Sequence, residues 1–301
     1  RIGRKSKSFK PIGKVLPCLF RQRRGVFVNS LARNKYTHMK HAFLAGLLGL
    51  TFLAAPQVGT AFSSAVKNPA RPLLEQPAPL KRVPERIIRH TGYLLSFNSE
   101  TLCPNWSAWE LTAAETEGNE RRYTDFLPDP QLPVSQQVTT YDYKGSGYDR
   151  GHMCPSADMK WSPAAQRDCF YMSNICPQDR SLNSGAWSKL ENACRRWAKS
   201  EGKIYIVCGP VFDKQRKHLT IGRDLRVRVP NGFFKVVLST RKGHEKAIGF
   251  YYSNRDSHQT MNAAAVSVDQ VERLTGMDFF PQLNDVLEKR LEANFDLREW
   301  R

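Results

Sequence analysis

Apolar and polar positions alternate in short blocks from residue 91 onward. Tyr93–Phe97 and Trp106–Leu111 are apolar-aromatic runs separated by Asn98-Ser99-Glu100 and Cys103-Pro104-Asn105. That is a strand–turn–strand pattern. Residues 114–136 are polar and punctuated by proline, so they predict a loop. Val138–Tyr143 is β-branched and aromatic and predicts a strand. Trp187, Leu190, Cys194 and Trp197 recur at helical spacing and predict a helix over 184–199, with Asn183 or Ser184 able to cap its start. Ile204–Cys208 reads as a buried strand stopped by Gly209-Pro210, and 233–239 and 247–253 read as two more. Residues 267–275 and 282–293 predict short helices. The sum is an α+β fold, a mostly antiparallel central sheet flanked by helices, in one domain over 91–301. Residues 62–90 carry five prolines and no period, which predicts a Pro-rich linker.

Charge changes the picture of the first sixty residues. The chain of 301 residues holds 46 Lys+Arg against 28 Asp+Glu, a net charge of +18. Twelve of the basic residues and none of the acidic ones fall in 1–61. Met39-Lys40-His41 is a short basic start, Ala42–Ala55 is a 14-residue apolar run, and Gly59-Thr60-Ala61 is a small-residue stretch. That order predicts a signal peptide over 39–61, because the run is short of the roughly 20 residues that span a bilayer. Residues 1–38 then read as untranslated upstream sequence or a basic leader. The exported body is expected to be secreted or periplasmic, with no stable membrane association after cleavage. Six cysteines remain in it (Cys103, Cys154, Cys169, Cys176, Cys194 and Cys208), an even number that suits up to three disulfides.

The chemistry concentrates between Gly147 and Glu191. Tyr148-Asp149-Arg150-Gly151-His152-Met153 is followed by Ser173-Asn174-Ile175-Cys176-Pro177-Gln178. Then comes Leu182-Asn183-Ser184-Gly185-Ala186-Trp187-Ser188-Lys189-Leu190-Glu191. Together these segments resemble the DNA/RNA non-specific endonucleases, the ββα-metal or His-Me finger nucleases, in their endonuclease G-like form and as a bacterial secreted member. Asp125–Pro130, Cys208–Phe212, Phe233–Val236 and Val271–Phe280 extend the resemblance to about 92–292.

The resemblance implies a metal-dependent endonuclease that hydrolyses phosphodiester bonds in DNA and RNA without strong sequence or sugar specificity and leaves 5′-phosphates. It implies His152 as general base toward water. An imidazole suits that work because its ordinary pKa of roughly 6.5 leaves it mostly neutral at pH 7. It implies Asn183 as the principal protein ligand of Mg²⁺, with Mn²⁺ or Ca²⁺ possible, since an amide oxygen is a hard neutral donor. Glu191, two helical turns on, would orient water at the metal. Arg195 would sit near the site or pair with Glu191 four residues before it. Asn174 would help position the site. Asp149 and Arg150 would hold the loop that carries His152. A basic residue ahead of Phe126 would stabilise phosphoryl charge, with Arg122 favoured over Arg121.

Other signals are weaker. Lys144-Gly145-Ser146-Gly147 lacks phosphate-loop spacing and reads as a loop before the site. His152, Cys154, Cys169 and Cys176 lack the paired spacing of a zinc set. His90, His218, His244 and His258 read as surface residues, and Trp106, Trp109, Trp161, Trp187 and Trp197 as core. The alternative function is a catalytically silent nucleic-acid-binding protein on the same fold.

Overall fold

The structure is a computed structural model, and it describes residues 73–213, 215, 218–255 and 259–300. The expected leader over 1–38, the expected signal peptide over 39–61 and His258 lie outside the described residues.

In chain order the strands are β1 (Arg86–His90), β2 (Tyr93–Asn98), β3 (Cys103–Thr112), β4 (Asp149–His152), β5 (Ile175–Gln178), β6 (Lys203–Val211), β7 (Thr220–Ile221), β8 (Val227–Arg228), β9 (Gly232–Ser239), β10 (Lys246–Ser253) and β11 (Ala265–Val266). The helices are α1 (Thr140–Tyr143), α2 (Pro163–Asp168), α3 (Arg180–Leu182), α4 (Ser188–Glu201), α5 (Met261–Ala264), α6 (Val268–Thr275) and α7 (Asp285–Ala293). A seven-stranded sheet runs β1-β2-β3-β6-β9-β10-β11, antiparallel throughout, and β4 pairs only with β5. The α+β expectation holds.

Both faces of the sheet are buried, which is why its central strands read as nearly unbroken apolar runs. The two-residue period of a strand sorts their side chains between two cores. Trp109, Ile206, Cys208, Phe233 and Val237 join the core on the face that carries β4, β5 and α4. Trp106, Val207, Phe234, Val236 and Leu238 join the opposite core, beneath α6 and α7.

Several expectations are corrected. The linker expected over 62–90 ends early. Leu73, Leu74 and Leu80 pack on the rear core, and β1 is a strand of the sheet. Its tail of prolines hid a segment whose apolar residues already belong to the fold. Val138–Tyr143 is not a strand. Thr139 Oγ1 and Asp142 form a capping box, with Asp142 Oδ2 accepting from Thr139 N at 2.9 Å, and this local pairing starts α1 instead.

The cysteines form no disulfide. All six are buried free thiols, a common fate of Cys in a core. His90 is not a surface residue. Its Nε2 lies 2.9 Å from buried Asp129 Oδ2, and its ring stacks with Tyr93. His218 contacts Arg228 and His244 is exposed. Trp161 is partly exposed, whereas Trp106, Trp109, Trp187 and Trp197 are core.

Candidate active site

The β4–β5 ribbon presents His152 at its end, opposite Ile175. Gly151 precedes it because a Cβ there would meet Gln178 Cβ at 2.7 Å. The turn beyond His152 is pinned by Asn174, which is fully buried and uses both ends of its amide. Its Oδ1 accepts from Cys154 N and Ser107 Oγ, each at 3.0 Å, and its Nδ2 donates to the carbonyls of Cys154 and Cys169, each at 2.9 Å. Ser107, Cys208 and Lys235 face one another across β3, β6 and β9. From this row Cys208 Sγ also donates to Met153 O at 3.1 Å. The main sheet thus fixes the ribbon from below.

His152 is 9% exposed, and its ring has Phe170 at 4.7 Å in a T-shaped contact and Phe126 at 5.3 Å. The Arg122 guanidinium lies 5.0 Å from the Phe170 ring and that of Arg150 lies 4.4 Å from the Phe126 ring. Burial, then the positive charges of Arg122 and Arg150, push the His152 pKa down to about 3. The ring is therefore neutral at any ordinary pH. Its Nε2 is sealed from solvent and unpartnered.

Asn183 approaches from α3. Asp179 caps that single turn by accepting from Ser181 N at 2.9 Å and Leu182 N at 3.3 Å. Asn183–Trp187 is a π-turn that breaks helical geometry at Gly185 and leads into α4. The helix expected over 184–199 is thus three joined pieces, and neither Asn183 nor Ser184 is an N-cap. Asn183 Nδ2 donates to Asp149 Oδ2 at 3.2 Å, and Arg180 Nε donates to Asp149 Oδ1 at 3.2 Å. Asp149 therefore pairs with Arg180. Arg150 serves the loop through Phe126 rather than through an ion pair with its neighbour. Because only the amide nitrogen can donate to a carboxylate, Asn183 keeps Oδ1 for another partner. A hard divalent ion fits that oxygen.

On α4, Glu191 is half-buried and its carboxylate makes no hydrogen bond among the described residues. Its pKa is pushed up to about 7 by burial, against the pull of Lys235, Arg195 and Arg122. Arg195 does not pair with Glu191. Its Nη1 donates to buried Asp158 Oδ1 at 2.7 Å, and Trp109 Nε1 donates to Asp158 Oδ2 at 3.1 Å. Burial raises the Asp158 pKa against the opposing effect of Arg195.

Lys235 is not among the residues that the sequence predicts for the site, yet it lies next to Glu191 in charge and to Cys208 in the sheet. It is 1% exposed, with Nζ 4.6 Å from the Trp187 ring and 5.0 Å from the Trp109 ring. Its pKa is raised, because burial is outweighed by the thiols of Cys208 and Cys194 and the carboxylates of Glu191 and Asp158. A charged residue inside the apolar run FFKVVLS was the available signal. Asp158 and Phe170 had none.

The family model for DNA/RNA non-specific endonucleases matches residues 75–286. The mitochondrial nuclease EXOG of Xenopus laevis is 35% identical over 228 residues, 71% of this chain and 63% of that protein. A nuclease of Nostoc sp. is 30% identical over 282 residues, 84% of this chain and 99% of that protein. The crystal structure of the EndoG/EndoGI complex matches with a TM-score of 0.62 at 29% identity, over 66% of this chain and 87% of that one. The chain thus spans slightly less than two thirds of the Xenopus nuclease. With the family model covering the ribbon, the Asn183 turn and the sheet beneath them, this chain belongs to the DNA/RNA non-specific endonuclease family.

Proposed function

We propose that the protein is a metal-dependent endonuclease that hydrolyses phosphodiester bonds in DNA and RNA without strong sequence or sugar preference. The observation that carries this reading is the pair formed by a neutral, buried His152 and an Asn183 whose amide nitrogen is committed to Asp149. His152 takes a proton from water as the water oxygen bonds to phosphorus; the bond to the 3′ oxygen breaks, its electron pair stays on that oxygen, and a second water protonates it, leaving a 3′-hydroxyl and a 5′-phosphate. With Nε2 sealed, Nδ1 is the nitrogen that receives the proton. Asn183 would hold a divalent ion through Oδ1, Mg²⁺ by the family's habit, and that ion would supply charge neutralisation at the phosphate. Arg122 places a guanidinium beside His152, where an incoming phosphate meets it. Glu191 holds and orients water, and the positive charges of Lys235 and Arg195 favour its ionised form. Contacts to phosphate and metal are the same for DNA and RNA, which supports sugar tolerance.

The test is cleavage of plasmid DNA and of RNA by the full chain with Mg²⁺. His152→Ala is expected to lose about 10²–10⁴-fold in rate, and EDTA to abolish cleavage. Unchanged rates in either case overturn the reading, and retained nucleic-acid binding without cleavage by the unaltered chain favours a binding protein. The reading extends to export, supported by the basic, apolar and small-residue order of 39–61. N-terminal sequencing of the exported protein tests it.

A further inference from the structure

α6 and α7 pack on the sheet face away from His152, with Val268, Val271, Phe279, Phe280 and Leu291 in the rear core. Where the two helices meet, Asp269 and Glu272 of α6 and Glu292 of α7 bring one carboxylate oxygen each to within 4.8 Å of one another. Calcium–oxygen distances are about 2.3–2.6 Å, so oxygens up to about 5 Å apart can share one Ca²⁺. A near-ideal Mg²⁺ octahedron spans only about 4.2 Å.

Carboxylates gathered on a surface need no ligand, but Glu292 is not on the surface. It is 7% exposed, and its Oε1 is sealed from solvent and accepts no hydrogen bond. Glu288 Oε1, one turn earlier on α7, is sealed and unpartnered as well. Glu272 spends Oε1 on Phe279 N at 2.8 Å. No ion pair of Glu272, Glu288 or Glu292 forms among the described residues. Arg273 Nη1 lies 3.9 Å from Asp269 Oδ2, both side chains being solvent-exposed in part. Burial, with the neighbouring carboxylates adding to it, pushes the Glu292 pKa up to about 9; burial and Asp278 push Glu272 up to about 7. A buried carboxylate left without donor or counter-charge must take up a proton or a cation. One proton relieves one carboxylate, whereas a hard divalent ion can take an oxygen from each.

We propose that Asp269, Glu272 and Glu292, with Glu288 beside them, hold a Ca²⁺ that clasps α6 to α7 on the side of the molecule remote from the chemistry. The site is independent of the proposed nuclease activity.

The test uses the full chain, stripped with EDTA, dialysed, and titrated with CaCl₂ alone in the absence of nucleic acid. At roughly a hundredfold excess over Kd, the melting temperature is expected to rise by about 5 °C or more. Asn183→Ala should keep the rise, because it alters only the other candidate metal position. Glu292→Gln should lose it, and so should Asp269→Asn, whose outer position makes it safe for folding. No rise in the unaltered protein overturns the proposal, as does a rise retained by both acidic-site variants. A Ca²⁺-insensitive protein whose melting temperature falls between pH 5 and 8 also overturns it, and points to shared protons instead.

Discussion

Asn183 donates its amide nitrogen to Asp149 Oδ2 at 3.2 Å, and that one bond decides which end of the amide is left to a metal. Removing the acceptor lets the amide turn over. Asp149→Ala is therefore expected to raise the Mg²⁺ concentration for half-maximal cleavage by about 10–100-fold, the usual cost of losing a group behind a metal ligand. Saturating Mg²⁺ should recover much of the rate. A metal requirement unchanged from that of the unaltered protein would show that Asp149 does not orient Asn183.

The His152 ring should be neutral, with its proton on Nε2, in the free protein from pH 8 down to pH 5. Imidazole ¹⁵N shifts report this directly, and a midpoint above 6 would contradict it. The same shift bears on stability. The folded pKa of about 3 lies below the ordinary value of roughly 6.5. The unfolded chain therefore takes up a proton first as pH falls. This contribution is fully present above about pH 6.5 and is lost toward pH 3, so His152→Gln should flatten the acid side of the melting-temperature profile.

Asn174 carries stability rather than chemistry. Asn174→Asp keeps its size but sets a carboxylate oxygen against the carbonyls of Cys154 and Cys169, which now accept from its Nδ2. Leaving a buried polar group unsatisfied costs about 1–3 kcal/mol, so urea unfolding should show a loss of at least ~2 kcal/mol. A variant as stable as the parent would mean that the turn after His152 is held by something else.

Lys235 works against the burial of Glu191. With the lysine in place the Glu191 pKa is about 7. Lys235→Met removes the largest opposing influence, so that pKa rises further and less of Glu191 is ionised at pH 7. The acid limb of the activity profile should move to higher pH, with part of the lost rate returning above pH 8. A uniform loss at every pH would instead mark Lys235 as packing alone.

The segments that carry His152, Asn183 and Glu191 are legible in the sequence as a family resemblance, and the family match over residues 75–286 spans all three. The central strands are legible because double burial writes unbroken apolar runs. What escapes has a physical reason in each case. α1 begins on a hydrogen-bonded exchange between Thr139 and Asp142 that overrides the strand preference of its residues. The proline-rich approach conceals β1, an edge strand with little apolar content of its own. Arg195 sits four residues after Glu191, yet it turns to Asp158, a partner from a distant turn that no local spacing reveals. Parity of the cysteines suggested pairing, but their burial in the cores accounts for them without it.

The break at Gly185 separates two settings that an unbroken helix would lock together. A regular α-helix turns about 100° per residue, so residues eight apart stand roughly 80° out of phase. Asn183 and Glu191 are eight apart, yet the π-turn between them lets each be aimed on its own. The Asn183 amide is held through Asp149 and α3, whereas Glu191 is carried by α4, which packs on the sheet. A change that re-aims one need not disturb the other, so the two halves of the site can be adjusted one at a time.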